Sequence, residues 1–475
     1  MKSKKINIKS NFTFNALYQM TGIFIPLVTI PYLTRVLHAE GLGIYSFAYS
    51  VAYYFYIFIR LGLHNYGNRT IAYIKDDEAA LSKTFYEIYA SQFFIGVILS
   101  VVYIIYCFLW APDKLLAFIF LFQVISGTFD LTWFLYGLEE FKIAAVRDIL
   151  TKIITALCIF VFVRSADDVW KYALIYSMGF FIGQIIVIPV VIRNVHFELP
   201  SKAGVFSHIV PNLILFLPTI AVSLYKSMDK IMIGVMSSDA ELGYYHSCEN
   251  IIKVPLALIT ALGTVMLPRM SNMISAGDKT SDIERTFDKS IMFAMFISSS
   301  ICMGIMTVAQ EFVPIYYGSG FDKCISLFYI ILPSCLFLAF ANVIRTQYLL
   351  PRKKDRLFII SLFSGAGVNI LINIILIPRY ASIGASIGTL AAEAVVCMIQ
   401  AAFVFKEANI GRNIINSLPF IASGVLMFLV FRNYTPNISN AVIALLIKIV
   451  ICGLFYLAVL GIIIFAKKRI CCRSN

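Results

Sequence analysis

Apolar residues fall along this chain in blocks of about 20, the length at which an α-helix crosses the hydrocarbon core of a bilayer. Fourteen blocks can be marked, at residues 12–34, 43–64, 84–110, 115–137, 143–163, 170–192, 210–235, 242–267, 290–310, 325–350, 357–378, 382–405, 413–431 and 440–466. The seventh and eighth are interrupted by charges. The pattern predicts an all-α polytopic membrane protein of about fourteen transmembrane helices. The first block follows a basic start, Met1 to Ser10 with Lys2, Lys4, Lys5 and Lys9, which imitates a secretory signal. Its apolar stretch, from about Phe12 to Leu33, is longer than the apolar core of a signal, and no small-x-small cleavage site follows. It reads as a retained first helix.

Composition agrees with a chain solvated by lipid. Of its 475 residues 60% are apolar and 14% charged, with a mean hydropathy of +0.84, against roughly 45–50% and about 25% in soluble domains. The net charge of +13 would suggest nucleic acid in a soluble protein. No basic stripe with interleaved aromatic residues appears, and no nucleic-acid partner is expected. Topology explains the charge instead. With the N-terminus inside, inner segments hold 25 Lys and Arg residues and outer segments 7, the bias that orients membrane proteins. Both termini are therefore expected on the cytoplasmic side of the inner (plasma) membrane. The ten cysteines are scattered without metal-site spacing, and most lie in apolar runs where a thiol is a small hydrophobe. The adjacent pair Cys471 and Cys472 at the tail suits acylation but is read as inert.

An internal echo suggests duplication. Leu42-Gly43-Ile44-Tyr45 opens the second block and Leu242-Gly243-Tyr244-Tyr245 opens the eighth, 200 residues later. Six helices between copies is an even number, so the halves share one orientation, with a site expected between two parallel lobes. The expected domains are a six-helix lobe over residues 1–200, a second over 201–408, and two added helices with a basic cytoplasmic tail over 409–475.

No enzymatic motif appears: no Gly-rich phosphate loop, no Gly-x-Ser-x-Gly elbow, no His-Glu-x-x-His pair. No catalytic residue, metal or cofactor is expected. The five histidines sit at or near helix ends, where an interfacial role is the plainer reading. The loops are too short for a nucleotide-binding domain, so transport would be secondary or run down a gradient. Ionisable groups in a bilayer are costly and normally face a bundle interior or a watery cavity. Seven bases fall within the predicted helices: Arg60, Lys152, Lys226, Lys230, Lys253, Arg345 and Lys448. Lys226, Asp229 and Lys230 share a helix face at i, i+3 and i+4, and Glu249 and Lys253 share another. Arg35 marks the outer end of the first helix. Simple pairing of Lys230 with Asp229 and Lys253 with Glu249, with the rest reaching to an interface, is one account. A cationic cavity for an anionic headgroup, formed by Arg35, Arg60, Lys226, Asp229, Lys230, Lys253 and Arg345, is the other. Asp130, Glu249 and Glu393 are then the candidates for ion coupling. Asn15, Gln19, Gly22, Pro26 and Pro31 permit close packing and a bend in the first helix. The 26 tyrosines and 40 phenylalanines are read mainly as lipid-facing or interfacial.

Pro31-Tyr32-Leu33-Thr34-Arg35-Val36-Leu37 followed by Gly43-Ile44-Tyr45 resembles the opening of the oligosaccharide flippases of the multidrug/oligosaccharidyl-lipid/polysaccharide exporter superfamily. Gly62, Tyr66-Gly67-Asn68-Arg69 and Ala72 continue the likeness in the first inner loop. Asp229-Lys230 with Ile233-Gly234, then Leu242-Gly243-Tyr244-Tyr245, resembles the start of a second lobe, and Pro268-Arg269 and Gly384-Ala385-Ser386-Ile387-Gly388-Thr389 with Glu393 extend it. The resemblance implies two six-helix lobes plus two helices, and a flippase. It would move undecaprenyl-diphosphate-linked sugar repeat units to the outer leaflet for capsule, O-antigen or exopolysaccharide synthesis. Alternating access is implied, with cavity cations on the diphosphate and the tail left among membrane lipids. A polysaccharide polymerase and chain-length machinery are the partners it implies. The rival readings are a multidrug cation antiporter of the same superfamily, a flippase for the peptidoglycan lipid precursor, and a membrane-embedded polysaccharide polymerase. The last would be expected to display a large outer loop, whereas the longest outer segment, Glu311 to Cys324, is short.

Overall fold

The structure, a computed structural model, describes residues 8–473; the side chains of residues 8–16, 225, 226 and 468–473 lie outside the described residues, and with them those of Asn15, Lys226, Cys471 and Cys472. The helices are α1 (Ile8–Arg60), α2 (Leu63–Ile74), α3 (Glu78–Leu109), α4 (Lys114–Ser126), α5 (Thr132–Gly137), α6 (Phe141–Phe162), α7 (Val169–Ile185), α8 (Ile188–Ile192), α9 (Lys202–Met236), α10 (Asp239–Ser275), α11 (Thr280–Tyr316), α12 (Lys323–Ile331), α13 (Ser334–Ile344), α14 (Asp355–Tyr380), α15 (Ser382–Phe403), α16 (Ile410–Phe431) and α17 (Ala441–Arg473). Among the described residues eleven helical stretches are long and apolar enough to cross a membrane. The fourteen passes expected from the sequence would take in three further segments. The stretch Leu17–Ile74 contains two, because α1 breaks at His38 (φ 54°, ψ −176°). Lys114–Ser126 is shorter and is continued by α5. Helix α6 interrupts its apolar run with Arg147, Asp148 and Lys152. The protein is an all-α, multi-pass membrane protein.

Local chemistry sets where the helices begin. Asp77 caps α3 by accepting from the amides of Ala79 and Ala80, and Asp113 caps α4 by accepting from Leu116. Prolines inside α1, α9, α10, α11, α14 and α16 are tolerated because neighbouring helices and polar side chains re-satisfy the freed carbonyls. Helix α2 is a departure from the expected inner loop. Its Leu63, Tyr66, Gly67 and Ile71 form one buried face at helical spacing. The tenth predicted block, 325–350, is divided at Pro333 between α12 and α13 and ends in a π-helical turn, Arg345–Leu349.

The chain divides into two compact units, Met1–Gly234 and Val235–Asn475. The first is packed around Leu63, Ile71, Phe85, Ile88, Trp133 and Phe134, with the Phe85 and Trp133 rings stacked at 5.8 Å. The second is packed around Ile291, Met295, Ala339, Ile344 and Leu349. Its most extensive helix pair is α14 with α15, which reverse at Ala381 and approach closely at Gly384. A Cβ on Gly384 would lie 2.8 Å from the backbone nitrogen of Ile377. Glu311, placed by the sequence at the start of an outer segment, lies instead within α11; the connection to α12 is residues 317–322.

Helix α17 is tied to α11 at two points. The Lys448 ammonium, fully buried, is 2.7 Å from a Glu311 carboxylate oxygen, and the Ser299 and Tyr456 hydroxyls are 2.8 Å apart. Removing one partner of a buried pair leaves the other charge uncompensated. Lys448→Ala is therefore expected to destabilise the protein by roughly 3 kcal/mol, and the double change Lys448→Met/Glu311→Leu to recover most of that loss, measured as thermal unfolding in detergent.

Candidate functional site

Helix α1 beyond His38 places Tyr45, Tyr49, Tyr53, Tyr56 and Arg60 at intervals of three and four residues, which puts them on one face. Tyr49, Tyr53, Tyr56 and Arg60 of that face line a cavity of about 470 Å³ within the first unit, walled also by Tyr18, Gln123, Asp130, Tyr136, Arg147, Asp148, Lys152 and Gln184. In its wall, Arg60 Nε stands 2.9 Å from an Asp130 carboxylate oxygen. The Tyr56 hydroxyl donates to the same oxygen at 2.6 Å, and Arg60 donates to the Tyr56 hydroxyl at 3.0 Å.

Asp130 lies in a break between α4 and α5, where the sequence predicts one continuous helix over 115–137. The break is held open by other elements. The Gln92 amide from α3 donates to the carbonyls of Gly127 (2.7 Å) and Asp130 (3.1 Å). The Trp133 indole N–H donates back to Gln92 at 3.0 Å. The second Asp130 oxygen accepts from the Thr132 amide at 3.0 Å. Backbone that leaves the helical ladder at membrane depth must find such partners inside the protein, and here the result is to aim a carboxylate into the cavity.

A second cluster comes from α6. Arg147, with a side chain 5% exposed, is 2.8 Å from Asp148. It also donates to Gln184 at 3.0 Å and to Thr132 at 3.3 Å. The Lys152 ammonium lies 4.2 Å from the centre of the Tyr18 ring, a cation–π contact. The cavity thus holds three cations and two carboxylates, and each arginine is held by one carboxylate. Arginine presents a planar fork of donors suited to carboxylate or phosphate.

The sequence candidates distribute unevenly around this geometry. Arg60 and Asp130 meet in the cavity. Arg35 is exposed on α1 and donates to the Pro31 carbonyl at 2.6 Å, away from the cavity lining. Asp229 and Lys230 are buried in α9 and are not among the lining residues; the Lys226 side chain is outside the described residues. In the second unit, Lys253 is half-exposed and lies 3.8 Å from Glu249. Arg345 donates to Asn342 at 2.6 Å and lies over the Phe358 ring. Glu393 is buried on α15. Arg147, Asp148 and Gln184 were not picked out by the sequence. Arg147 counts there among the inner-segment bases because it falls near a predicted helix end. Its signal was the cluster Arg147, Asp148 and Lys152 within less than two turns of α6.

Several motif residues prove to be packing devices around this site. A Cβ on Gly62 would sit 2.8 Å from the Phe216 backbone nitrogen of α9, and one on Gly67 would sit 2.6 Å from the Trp133 ring. The Tyr66 hydroxyl lies 2.6 Å from His208 Nδ1. Tyr32 donates to the Val163 carbonyl at 2.6 Å, fastening α1 to the end of α6.

Residues 8–274 match the family model described as polysaccharide biosynthesis protein. The chain is similar to the putative O-antigen transporter of Escherichia coli strain K12, 23% identical over 410 residues that cover 85% of this chain and 98% of that protein. Among solved structures, the lipid II flippase MurJ in an inward closed conformation has a TM-score of 0.72 at 15% identity, covering 97% of this chain and 99% of that one. An inward-facing multidrug resistance MATE family transporter of the MOP superfamily has a TM-score of 0.59 at 13% identity, covering 81% and 98%. These two likenesses establish a shared fold. The family match spans more than half of the chain, and the chain belongs to the polysaccharide biosynthesis protein family.

Proposed function

We propose that this protein is a carrier for a diphosphate-linked oligosaccharide repeat unit on a polyprenyl lipid. It would move the unit from the cytoplasmic to the outer leaflet of the cytoplasmic membrane, for capsule, O-antigen or exopolysaccharide synthesis. The observation that carries the reading is the charge inventory of the cavity in the first unit: Arg60, Arg147 and Lys152 against Asp130 and Asp148. The two carboxylates compensate the two arginines, which leaves Lys152 as the net positive charge of the cavity. A diphosphate offers the same fork geometry with more charge, so its oxygens replace the carboxylates on Arg147 and Arg60 and engage Lys152. The displaced carboxylates then take up a proton or another cation. That exchange makes Asp130 a coupling group, as proposed also for Glu249 and Glu393, and adds Asp148. Lys226, Asp229 and Lys230 on α9 are proposed as a further contact set for the headgroup. The site is exposed to the two membrane faces in turn while the lipid tail stays in the bilayer. No covalent bond is made or broken, so the protein is a carrier and not an enzyme. The charge bias of 25 to 7 supports cytoplasmic termini.

The tyrosine-rich wall and two acids would also suit an exported organic cation. Against that reading, Asp130 and Asp148 are each engaged by an arginine, and a cation must first break those pairs. Deletion of the gene, with complementation by wild type and Lys152→Ala, tests the choice. Loss of surface polysaccharide with diphosphate-linked repeat units stranded on the cytoplasmic leaflet is expected, restored by wild type and poorly by the variant. Unchanged polysaccharide with new sensitivity to cationic drugs would establish the exporter instead, and stranded peptidoglycan precursor would establish the lipid-precursor flippase.

A further inference from the structure

The cavity has a part that phosphate chemistry leaves unused. Tyr45 and Tyr56 are buried, whereas Tyr49 and Tyr53 between them are partly exposed and line the space. The Tyr49 and Tyr53 rings are 6.0 Å apart at an angle of 24°. Tyr49 is braced edge-on by Tyr176 at 5.6 Å and by Phe120 at 6.1 Å, so its ring is fixed before any ligand arrives. Beside this wall the Gln123 side-chain carbonyl oxygen is buried without a hydrogen-bond partner, on a residue 1% exposed. An orphaned buried acceptor costs about 1–3 kcal/mol unless a donor reaches it. A diphosphate has only acceptors at neutral pH and cannot supply one.

We infer that Tyr49, Tyr53 and Gln123 form a sugar subsite of the cavity, taking a pyranose ring attached to the diphosphate. The inference rests on the diphosphate-linked substrate proposed above. A pyranose carries both features that the wall lacks: a flat face of C–H groups that packs on an aromatic ring, and rim hydroxyls that donate. The cavity volume, about 470 Å³, is in the range of sites that enclose a small ligand. It therefore holds the diphosphate with few sugar rings, and the remainder of a longer unit extends beyond it.

Two probes separate the subsite from the headgroup site: geranylgeranyl diphosphate, and the same lipid diphosphate bearing one N-acetylglucosamine. Equilibrium binding of both to the purified full chain is the measurement. Wild type should bind the glycosylated probe more tightly. Tyr49→Ala and Tyr53→Ala should each weaken the glycosylated probe by up to about tenfold and leave the bare diphosphate unchanged, and Gln123→Leu should do likewise. Tyr49→Phe and Tyr53→Phe, which keep the ring, should retain most of the preference. If an alanine variant loses its fold, Tyr49→Leu and Tyr53→Leu, which keep apolar volume without a ring, are expected to show the same selective loss. Equal affinity of wild type for the two probes, or equal losses on both in the variants, would overturn the subsite while leaving the diphosphate reading standing. Failure of wild type to bind either probe would overturn that reading and the subsite with it.

Discussion

Replacing Arg147 with alanine is expected to reduce transport of the lipid-linked substrate by 100-fold or more, roughly. The side chain is almost fully enclosed and reaches three partners, Asp148, Gln184 and Thr132. Truncating one side of a desolvated charge contact costs about 2–5 kcal/mol, which corresponds to roughly 30-fold to several-thousand-fold. Two effects add in the same direction. The diphosphate loses its most enclosed fork, and Asp148 is left without its arginine and repels the incoming anion. Arg147→Lys should recover only part of the activity, because an ammonium is a point charge and cannot reproduce a planar fork. Asp148→Asn should do the opposite in binding: diphosphate binds more tightly because its competitor is gone, yet turnover falls because nothing displaces it on release. Flux in proteoliposomes, measured beside diphosphate affinity, separates these outcomes. Full activity of Arg147→Lys would show that bidentate contact is not what Arg147 provides.

Asp130→Ala is expected to damage the fold as well as the activity. Asp130 is 2% exposed and gathers Arg60, the Tyr56 hydroxyl and the Thr132 amide on one carboxylate. Without it, Arg60 keeps a charge inside the membrane without its carboxylate partner, and the Thr132 amide at the break between α4 and α5 loses its acceptor. Breaking a buried ion pair from one side costs about 3–5 kcal/mol, so a marked fall in Tm and in folded yield is expected. Arg60→Met/Asp130→Leu removes both charges and should restore much of the stability while leaving transport inactive. Recovery of transport in that double variant would remove Arg60 and Asp130 from the substrate site. A stability unchanged in Asp130→Ala would mean that Gln92 and Trp133 alone hold the break.

The transmembrane architecture was legible because lipid imposes one requirement on every pass, an apolar run of the right length. The break at His38 was legible as the gap between the blocks 12–34 and 43–64. Breaks inside a single apolar block were not legible, for a physical reason. At residues 127–131 the helix opens because Gln92, distant in sequence, donates to its carbonyls and is itself held by the Trp133 indole N–H. Glu311 was assigned to a loop because a charge near the end of an apolar run looks interfacial, until Lys448 from another helix is seen to neutralise it. Arg147 was hidden by the same rule. The pair Arg60 and Asp130 could be singled out as charges at depth, but their meeting, 70 residues apart in the chain, is a tertiary fact. The i, i+4 ladder from Tyr45 to Tyr53 was present in the sequence, though nothing there separates rings facing a cavity from rings facing lipid.

The most direct test of the account is a reconstituted flip assay. The full chain is placed in proteoliposomes with the glycosylated lipid diphosphate in the lumenal leaflet, and its exposure to an external sugar-modifying reagent is followed over time. The account predicts rapid exposure with wild type, little with Arg147→Ala, and competition by the bare lipid diphosphate. Exposure no faster than in empty liposomes, in vesicles where the same protein moves an organic cation, would contradict it.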